Sequence, residues 1–502
     1  MNPRLRNSLI VALGVAIAMV AGWQIANESL IQAGALGTAL ALWLASRLCG
    51  ISADALVAGL ALAGYLIGNR GFAQLSVPNL PLLPGELTLG LGLCFIIWNA
   101  ARTKELPVRR DALNAMLLTW LACGAIRFGY DVRVHGLMAL RDFAILYYSL
   151  FFFLAQGWWA DPDQRRWVQR CLTVGFAVGA PIFLAFARWP DFFVNNLSVR
   201  GVPLVYVKSD VQAGLLIAGT YWFLHRYVSS RRLGWLLLAA TNLLGVLSAN
   251  SRAALVAFGV TCLWLVACRD WRILRPIAAL GAVGLAVLLT LPIVTQRPWK
   301  ESIAYRFYES AASIGDTQGA RSYETADLGD KPDNNRFRLT WWRIVVGETW
   351  SEGRWTGLGF GYDLSDQFLR IYYAESSEEF STRSPHNYPL TVFARTGLIG
   401  VGLLLVCLAG ITMRTWRAGR RAAQSDQPSE PFAMWVGTWG IFVSACFGVV
   451  LEGPMGAVVF WTLLGMANAA GSEPAPTSEP ALPDPAPDLR DAPSAPQVAP
   501  SP

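Results

Sequence analysis

ILRPIAALGAVGLAVLLTLPIVT, residues 273–295, is an apolar run, and the chain turns polar as soon as it ends. The interval that follows, Gln296 to Pro385, carries 25 charged residues in 90 positions, against 15% for the whole sequence. Crossing about 30 Å of hydrocarbon takes roughly 20 predominantly apolar residues. Residues 273–295 therefore read as a membrane span and 296–385 as a soluble cap laid over it. Pro385-His386-Asn387-Tyr388 closes the cap and a new apolar helix begins, which sets His386 at the seam.

Working outward, the same kind of run recurs on both sides of the cap. Before it come runs near 8–25, 30–49, 52–69, 86–100, 112–128, 138–158, 167–187, 209–227, 233–249 and 252–268; after it come 388–413, 432–451 and 455–470. With 273–295 that makes fourteen, or twelve if the shorter runs do not span. With 54% hydrophobic residues and 21 Trp in 502 positions, the composition excludes an ordinary soluble globule. The expected fold is an all-α polytopic membrane protein of about 12–14 transmembrane helices. Its parts are transmembrane helices over 1–295, a large external loop or cap domain over 296–385, and C-terminal transmembrane helices over 386–470. A disordered Pro/Ala-rich cytoplasmic tail over 471–502 holds ten prolines and cannot bury a core.

The net charge of +7 reflects topology rather than nucleic-acid binding, because Lys and Arg gather in alternate short loops, as expected of cytoplasmic loops. Arg4 and Arg6 place the amino terminus inside, and the alternation then places the large loop outside. The first run reads as a retained span rather than a signal peptide. All eight cysteines lie in or at the ends of apolar runs, so disulfides are not expected. With only His135, His225 and His386 and no Cys/His cluster, no metal site is offered. Asp161-Pro162-Asp163 mimics a metal-binding DxD but falls in a cytoplasmic loop.

The first four spans read as scaffold. Between spans five and six an external loop carries Arg127, Asp131, Arg133 and His135, followed by Arg141-Asp142 just inside the next run. That pair is either a snorkelling arginine with its counter-ion or a substrate-binding group. The external loop after span seven holds Arg200, Lys208 and Asp210, and its two cations run against the positive-inside trend. Ser248-Ala249-Asn250-Ser251-Arg252 is so tight a turn that Arg252 stays at the external membrane boundary, where a guanidinium needs a carboxylate or a ligand as partner. Within the cap, Trp299 to Ile314 and Phe337 to Glu352 have the spacing of amphipathic helices, and Gly315 to Asn335 reads as loop. Thr356 to Asp363 is glycine-dense without a preceding strand. It reads as a turn admitting close backbone approach, not a nucleotide loop.

Several arginines and one histidine at an external boundary suit a diphosphate at headgroup level with its hydrophobic tail in lipid. Pro385-His386-Asn387-Tyr388-Pro389-Leu390, followed by Thr396-Gly397-Leu398-Ile399-Gly400, resembles the carboxy-terminal signature of the O-antigen ligase and O-antigen polymerase superfamily. Asn250-Ser251-Arg252-Ala253-Ala254-Leu255, Arg338-Leu339 with Trp342, and Gly357-Leu358-Gly359 resemble the same family, in the same order. Two positions depart from its pattern: Ala253 stands where Gly is common, and Arg395 where an acidic residue is frequent.

The resemblance implies a GT-C-like glycosyltransferase with a helical periplasmic cap, in the bacterial inner membrane. It would take a glycan from an undecaprenyl diphosphate-linked donor and pass it to lipid A–core. His386 would be the general base, and Arg200, Arg252, Arg338 and Arg141 would bind the diphosphate, supported by Asn387, Lys208 and Asp210, with no metal or other cofactor. His135 is the competing base, and a structural role for His386 is to cap the helix that starts beside it. An O-antigen polymerase, a protein O-oligosaccharyltransferase and a polysaccharide-lipid transporter remain the rival functions.

Overall fold

The computed structural model describes residues 30–75, 83–104, 108–249, 251–294, 331–372, 383–425 and 428–471, with isolated residues between 296 and 312. The expected first span at 8–25, most of the first cap helix and the tail beyond 471 lie outside the described residues.

The described chain is helical almost throughout. In order it runs α1 (Leu30–Cys49), α2 (Ala53–Gly68), α3 (Arg70–Ala73), α4 (Pro84–Thr103), α5 (Ala112–His135), α6 (Leu137–Tyr147), α7 (Leu150–Ala160), α8 (Pro162–Arg188) and α9 (Pro190–Asn196). A two-residue hairpin, β1 (Ser198–Val199) with β2 (Val202–Pro203), leads to α10 (Ser209–Ser230), α11 (Leu233–Ser248), α12 (Arg252–Cys268) and α13 (Trp271–Val294). The cap supplies α14 (Lys331–Glu352) and α15 (Asp366–Tyr372), and the chain closes with α16 (Tyr388–Gln424), α17 (Glu430–Ala445) and α18 (Pro454–Ala470). This is an all-α polytopic membrane fold.

Among the described residues, four helices, α4, α5, α8 and α16, are long and apolar enough to cross a bilayer singly. Two bent pairs raise the number to six: the end of α1 with α2, and α6 with α7, which meet at 44°. That measure does not test the full set of 12–14 spans expected from the sequence, because it takes in only the described residues, and α11, α12 and α18 are apolar but only 16 or 17 residues long. Helices buried on every side belong to the middle of the bundle. α10 and α18 are of this kind, with Leu215, Ile217, Tyr221, Phe223 and Val458, Val459, Leu464 fully enclosed.

Helix starts follow local chemistry. Asp111, Asp161, Ser251, Asn387 and Ser429 each accept a hydrogen bond from a backbone N–H of the first turn. Asp161, half of the DxD-like sequence, is thus a helix cap, and Asp163 pairs with Arg166 on the surface at 2.6 Å. The loop expected at Arg127 to His135 is instead the last turns of α5. Arg127 and Asp131 stand one turn apart and pair at 3.0 Å, which keeps the helix going until Gly136 turns it at φ 55°. In the cap, α14 starts at Lys331 rather than after Asn335, taking in the end of the expected loop.

The cap has a small core of its own: Trp341 and Val345 of α14, Leu364, Phe368 of α15 and Ala394 of α16 are all buried. Since Ala394 belongs to a membrane helix, this core also glues the cap to the bundle. Fully burying an aromatic side chain of Phe size is worth about 1.5–3 kcal/mol.

Candidate active site

The cap is held down by its glycine turn. Gly357, Gly359 and Gly361 all have φ between 75° and 96°, a left-handed backbone that side chains with a Cβ avoid. That alternation turns successive N–H groups toward the bundle. Phe360 N–H donates to Asp131 of α5 at 2.7 Å, Gly361 N–H to Asp142 of α6 at 2.9 Å, and Leu358 N–H to the carbonyl of Ala394 at 2.7 Å. A Cβ on Gly359 would collide with the Asp131 carboxylate, and one on Gly357 with the backbone of Arg395 and Thr396. The turn is therefore a docking element whose ligands are two carboxylates of the bundle.

α16 meets it with a break of its own. Gly397 adopts φ 64°, ψ −160° inside the helix, and the freed N–H groups of Leu398 and Ile399 donate to the carbonyls of Arg354 and Trp355 at 2.8 and 3.2 Å. The two glycine motifs quoted from the sequence thus pack on each other.

Arg395 locks the joint. Its side chain is 3% exposed, pairs with Asp142 at 2.8 Å, and donates to the carbonyls of Gly359 and Tyr362 at 3.0 and 2.6 Å. Asp142 takes its ion-pair partner from 253 residues along the chain rather than from neighbouring Arg141. Arg141 is left facing the adjoining cavity.

That cavity, about 420 Å³, is walled by Arg70, Arg141, Asp142, Ile145, Lys208, Arg383, Ser384, His386, Thr391, Arg395, Val449, Glu452 and Met455. Five cations face two carboxyl groups and one imidazole, an environment made for an anion. Arg383 reaches Asp363 at 3.2 Å and the carbonyl of Gly361 at 2.9 Å. Glu452 accepts from Thr391 at 3.0 Å, and burial pushes its carboxyl up against the opposing pull of Ser384, Thr391, Arg395 and Lys208.

His386 sits on the cavity wall with φ 57°, between cap and α16. Its backbone N–H donates to Ser384 Oγ at 3.3 Å, and its ring stands edge-on to Trp341 with centroids 6.2 Å apart. Trp342 donates to the carbonyl of Pro385 at 2.6 Å, pinning the peptide just before it. Asn387, not His386, caps α16 by accepting from Leu390 N–H at 3.1 Å, so the imidazole is not the helix cap. Burial, then Lys208 and Arg338, lower its pKa to about 4 against the opposing pull of Asp210. The ring is neutral at physiological pH and able to accept a proton.

Of the residues singled out in the sequence, His386, Arg141 and Lys208 come together here. Asp210 stands behind Lys208 at 3.6 Å, and Arg338 donates to the carbonyl of Phe447 at 2.8 Å close behind the wall. Arg200 does not reach the cavity: it occupies the left-handed turn of the hairpin, exposed at φ 54°. Arg252 opens α12, half-buried, and is not among the wall residues. His135 ends α5 against the glycine turn, where a Cβ on Gly361 would meet it.

Four charged wall residues, Arg70, Arg383, Arg395 and Glu452, were not read as site residues in the sequence. Arg70 follows an apolar run on the cap side, so the charge bias that drew attention to Lys208 applies to it too. Glu452 is the sole charged residue between Glu430 and Glu473. Arg383 and Arg395 flank His386 in the chain, and Arg395 stood out there only as a departure from the family pattern.

Residues 235–405 match a family model described as O-antigen ligase. That stretch, about a third of the chain, is similar to an O-antigen ligase domain, which supports a function of the O-antigen ligase and polymerase type. No curated protein matches the chain.

Proposed function

We propose that this protein transfers O-antigen polysaccharide from undecaprenyl diphosphate to lipid A–core at the periplasmic face of the inner membrane, without a metal ion. The observation that carries the reading is the meeting of one neutral imidazole and five cations around a single cavity at the seam between cap and bundle.

An acceptor sugar hydroxyl attacks the anomeric carbon of the donor, the bond from that carbon to the diphosphate oxygen breaks, and the electron pair leaves on that oxygen. His386 takes the hydroxyl proton, and Arg70, Arg141, Lys208 and Arg383 neutralise the charge developing on the departing diphosphate. Arg395, committed to Asp142 and two carbonyls, holds the frame instead. The diphosphate cradle thus passes from Arg200 and Arg252, favoured by the sequence, to Arg70 and Arg383. Arg338 and Asp210 act from behind the wall, on the charge state of His386.

The test is reconstitution. Purified protein, lipid-linked polysaccharide and lipid A–core are incubated with a chelator present, and the glycosylated core lipid is measured together with released undecaprenyl diphosphate. Product on the core lipid is expected. Product only when a second lipid-linked glycan or a protein replaces the core lipid would make the chain a polymerase or an oligosaccharyltransferase. Absence of any diphosphate release would turn the reading toward transport, and loss of product on chelation would overturn metal independence.

A further inference from the structure

Asn69 links the two cations that the amino-terminal half brings to the cavity. It is fully buried, immediately after α2, with φ 50° and ψ −120°. Its Oδ1 accepts from the backbone N–H of Arg70 at 2.8 Å and from that of Lys208 at 3.2 Å, so one oxygen holds the main chain at both positions. Its Nδ2 donates to Gln212 Oε1 at 2.8 Å, and Gln212, buried in α10, fixes which way the amide faces. Around this centre the two segments are laced together. Gly71 N–H donates to the carbonyl of Tyr206 and Tyr206 N–H to that of Gly68, both at 3.2 Å, and the Arg70 guanidinium lies 5.5 Å from the Tyr206 ring centre.

The backbone at Asn69 is of a kind that glycine adopts freely and a residue with a Cβ adopts under strain. A strained, buried asparagine whose oxygen serves two cavity residues at once is held there by what its side chain does. We infer that Asn69, anchored by Gln212, is a positioning residue that sets Arg70 and Lys208 to converge on one bound diphosphate. The inference rests on the diphosphate reading of the cavity.

A glycine at position 69 separates positioning from packing, because it relieves the strain while removing the shared acceptor. Farnesyl diphosphate binding to the full-length protein in detergent, by calorimetry, is the measurement, alongside thermal unfolding. Asn69→Gly is expected to bind about tenfold more weakly, the worth of one well-oriented charge-assisted contact. Its unfolding should still be cooperative and its unfolding temperature lower by only a few degrees, because relief of the strain offsets part of the lost hydrogen bonds. Gln212→Leu, which frees the amide without touching the strained backbone, should weaken binding to a lesser extent. In the transfer assay Asn69→Gly should raise KM for the donor and also lower kcat, because Arg70 and Lys208 meet charge that grows as the diphosphate departs.

Unaltered affinity in Asn69→Gly would overturn the positioning role while leaving the diphosphate site intact. If that variant does not fold, unaltered affinity in Gln212→Leu does the same. Failure of the unsubstituted protein to bind farnesyl diphosphate, or normal binding by Arg70→Gln and Lys208→Gln, would overturn the diphosphate reading and this inference with it.

Discussion

His386 carries the chemistry of the proposed transfer, and its surroundings set the pH at which it can act. With its pKa lowered to about 4 by burial, Lys208 and Arg338, the free protein keeps a neutral imidazole far below the usual histidine range near 6.5. A base works in its unprotonated form, so activity falls as pH drops through that pKa. The acid limb of kcat/KM, which reports the free protein, should lie near pH 4. Binding a diphosphate puts negative charge beside the ring and favours its protonated form, so the acid limb of kcat should lie at higher pH. A pH-rate series over both parameters checks this, and an acid limb of kcat/KM at 6.5 or above would contradict it. His386→Ala should lower kcat by about 10²–10⁴-fold, the usual worth of a general base, with unfolding little changed because Asn387 retains the cap of α16.

The glycine turn and the broken helix α16 form one joint, and its strength lies in buried charge. Arg395→Leu strands Asp142 beneath the cap, and breaking a buried pair from one side costs about 3–5 kcal/mol. Pairing it with Asp142→Asn should recover part of that loss, which a double-mutant cycle on thermal unfolding measures. Gly359→Ala forces a Cβ toward the Asp131 carboxylate at φ 96°, and should cost about 1–3 kcal/mol and open the cap to limited proteolysis. Additive losses, or a cap as protease-resistant as before, would show that docking rests elsewhere. Much at this scale was legible beforehand. Apolar runs marked most of the helices, although α5 and α16 continue past their runs to His135 and Gln424 and one run became the bent pair α6 and α7, and clustered glycines marked a turn admitting close backbone approach. The partners of that turn were not legible, because Asp131, Asp142 and Ala394 come from three helices and nothing in a linear pattern says which carboxylate a turn will meet. Arg127 and Asp131 were misplaced in a loop because charges after an apolar run look like its end, whereas here they pair along one continuing helix.

At the scale of the whole molecule, the candidate site draws on far more chain than the segment that marks the family. His386, Arg383 and Arg395 lie inside residues 235–405, whereas Arg70, Arg141, Lys208 and Glu452 lie outside it. The sequence pointed to His386 through a local motif, but it hid Arg70 among spans that read as scaffold, since the tie from its neighbour Asn69 to Lys208 crosses 139 positions. A site divided in this way can be separated and rebuilt. The turn between α10 and α11 is exposed, with Arg231 in the left-handed conformation, and a chain break is best tolerated at such a tip. Two fragments divided after Arg231 would place Arg70, Arg141 and Lys208 in one and His386, Arg383 and Glu452 in the other. Each fragment keeps apolar helices that insert on their own, and α10 packs against α11 and α17 across the division, so co-expressed halves should reassemble. Neither half alone should bind farnesyl diphosphate, and together they should restore most of the binding of the intact chain. Binding by the carboxy-terminal half alone would mean that the cations of the first half are not needed, and that the anion site lies wholly within the cap and the helices after it.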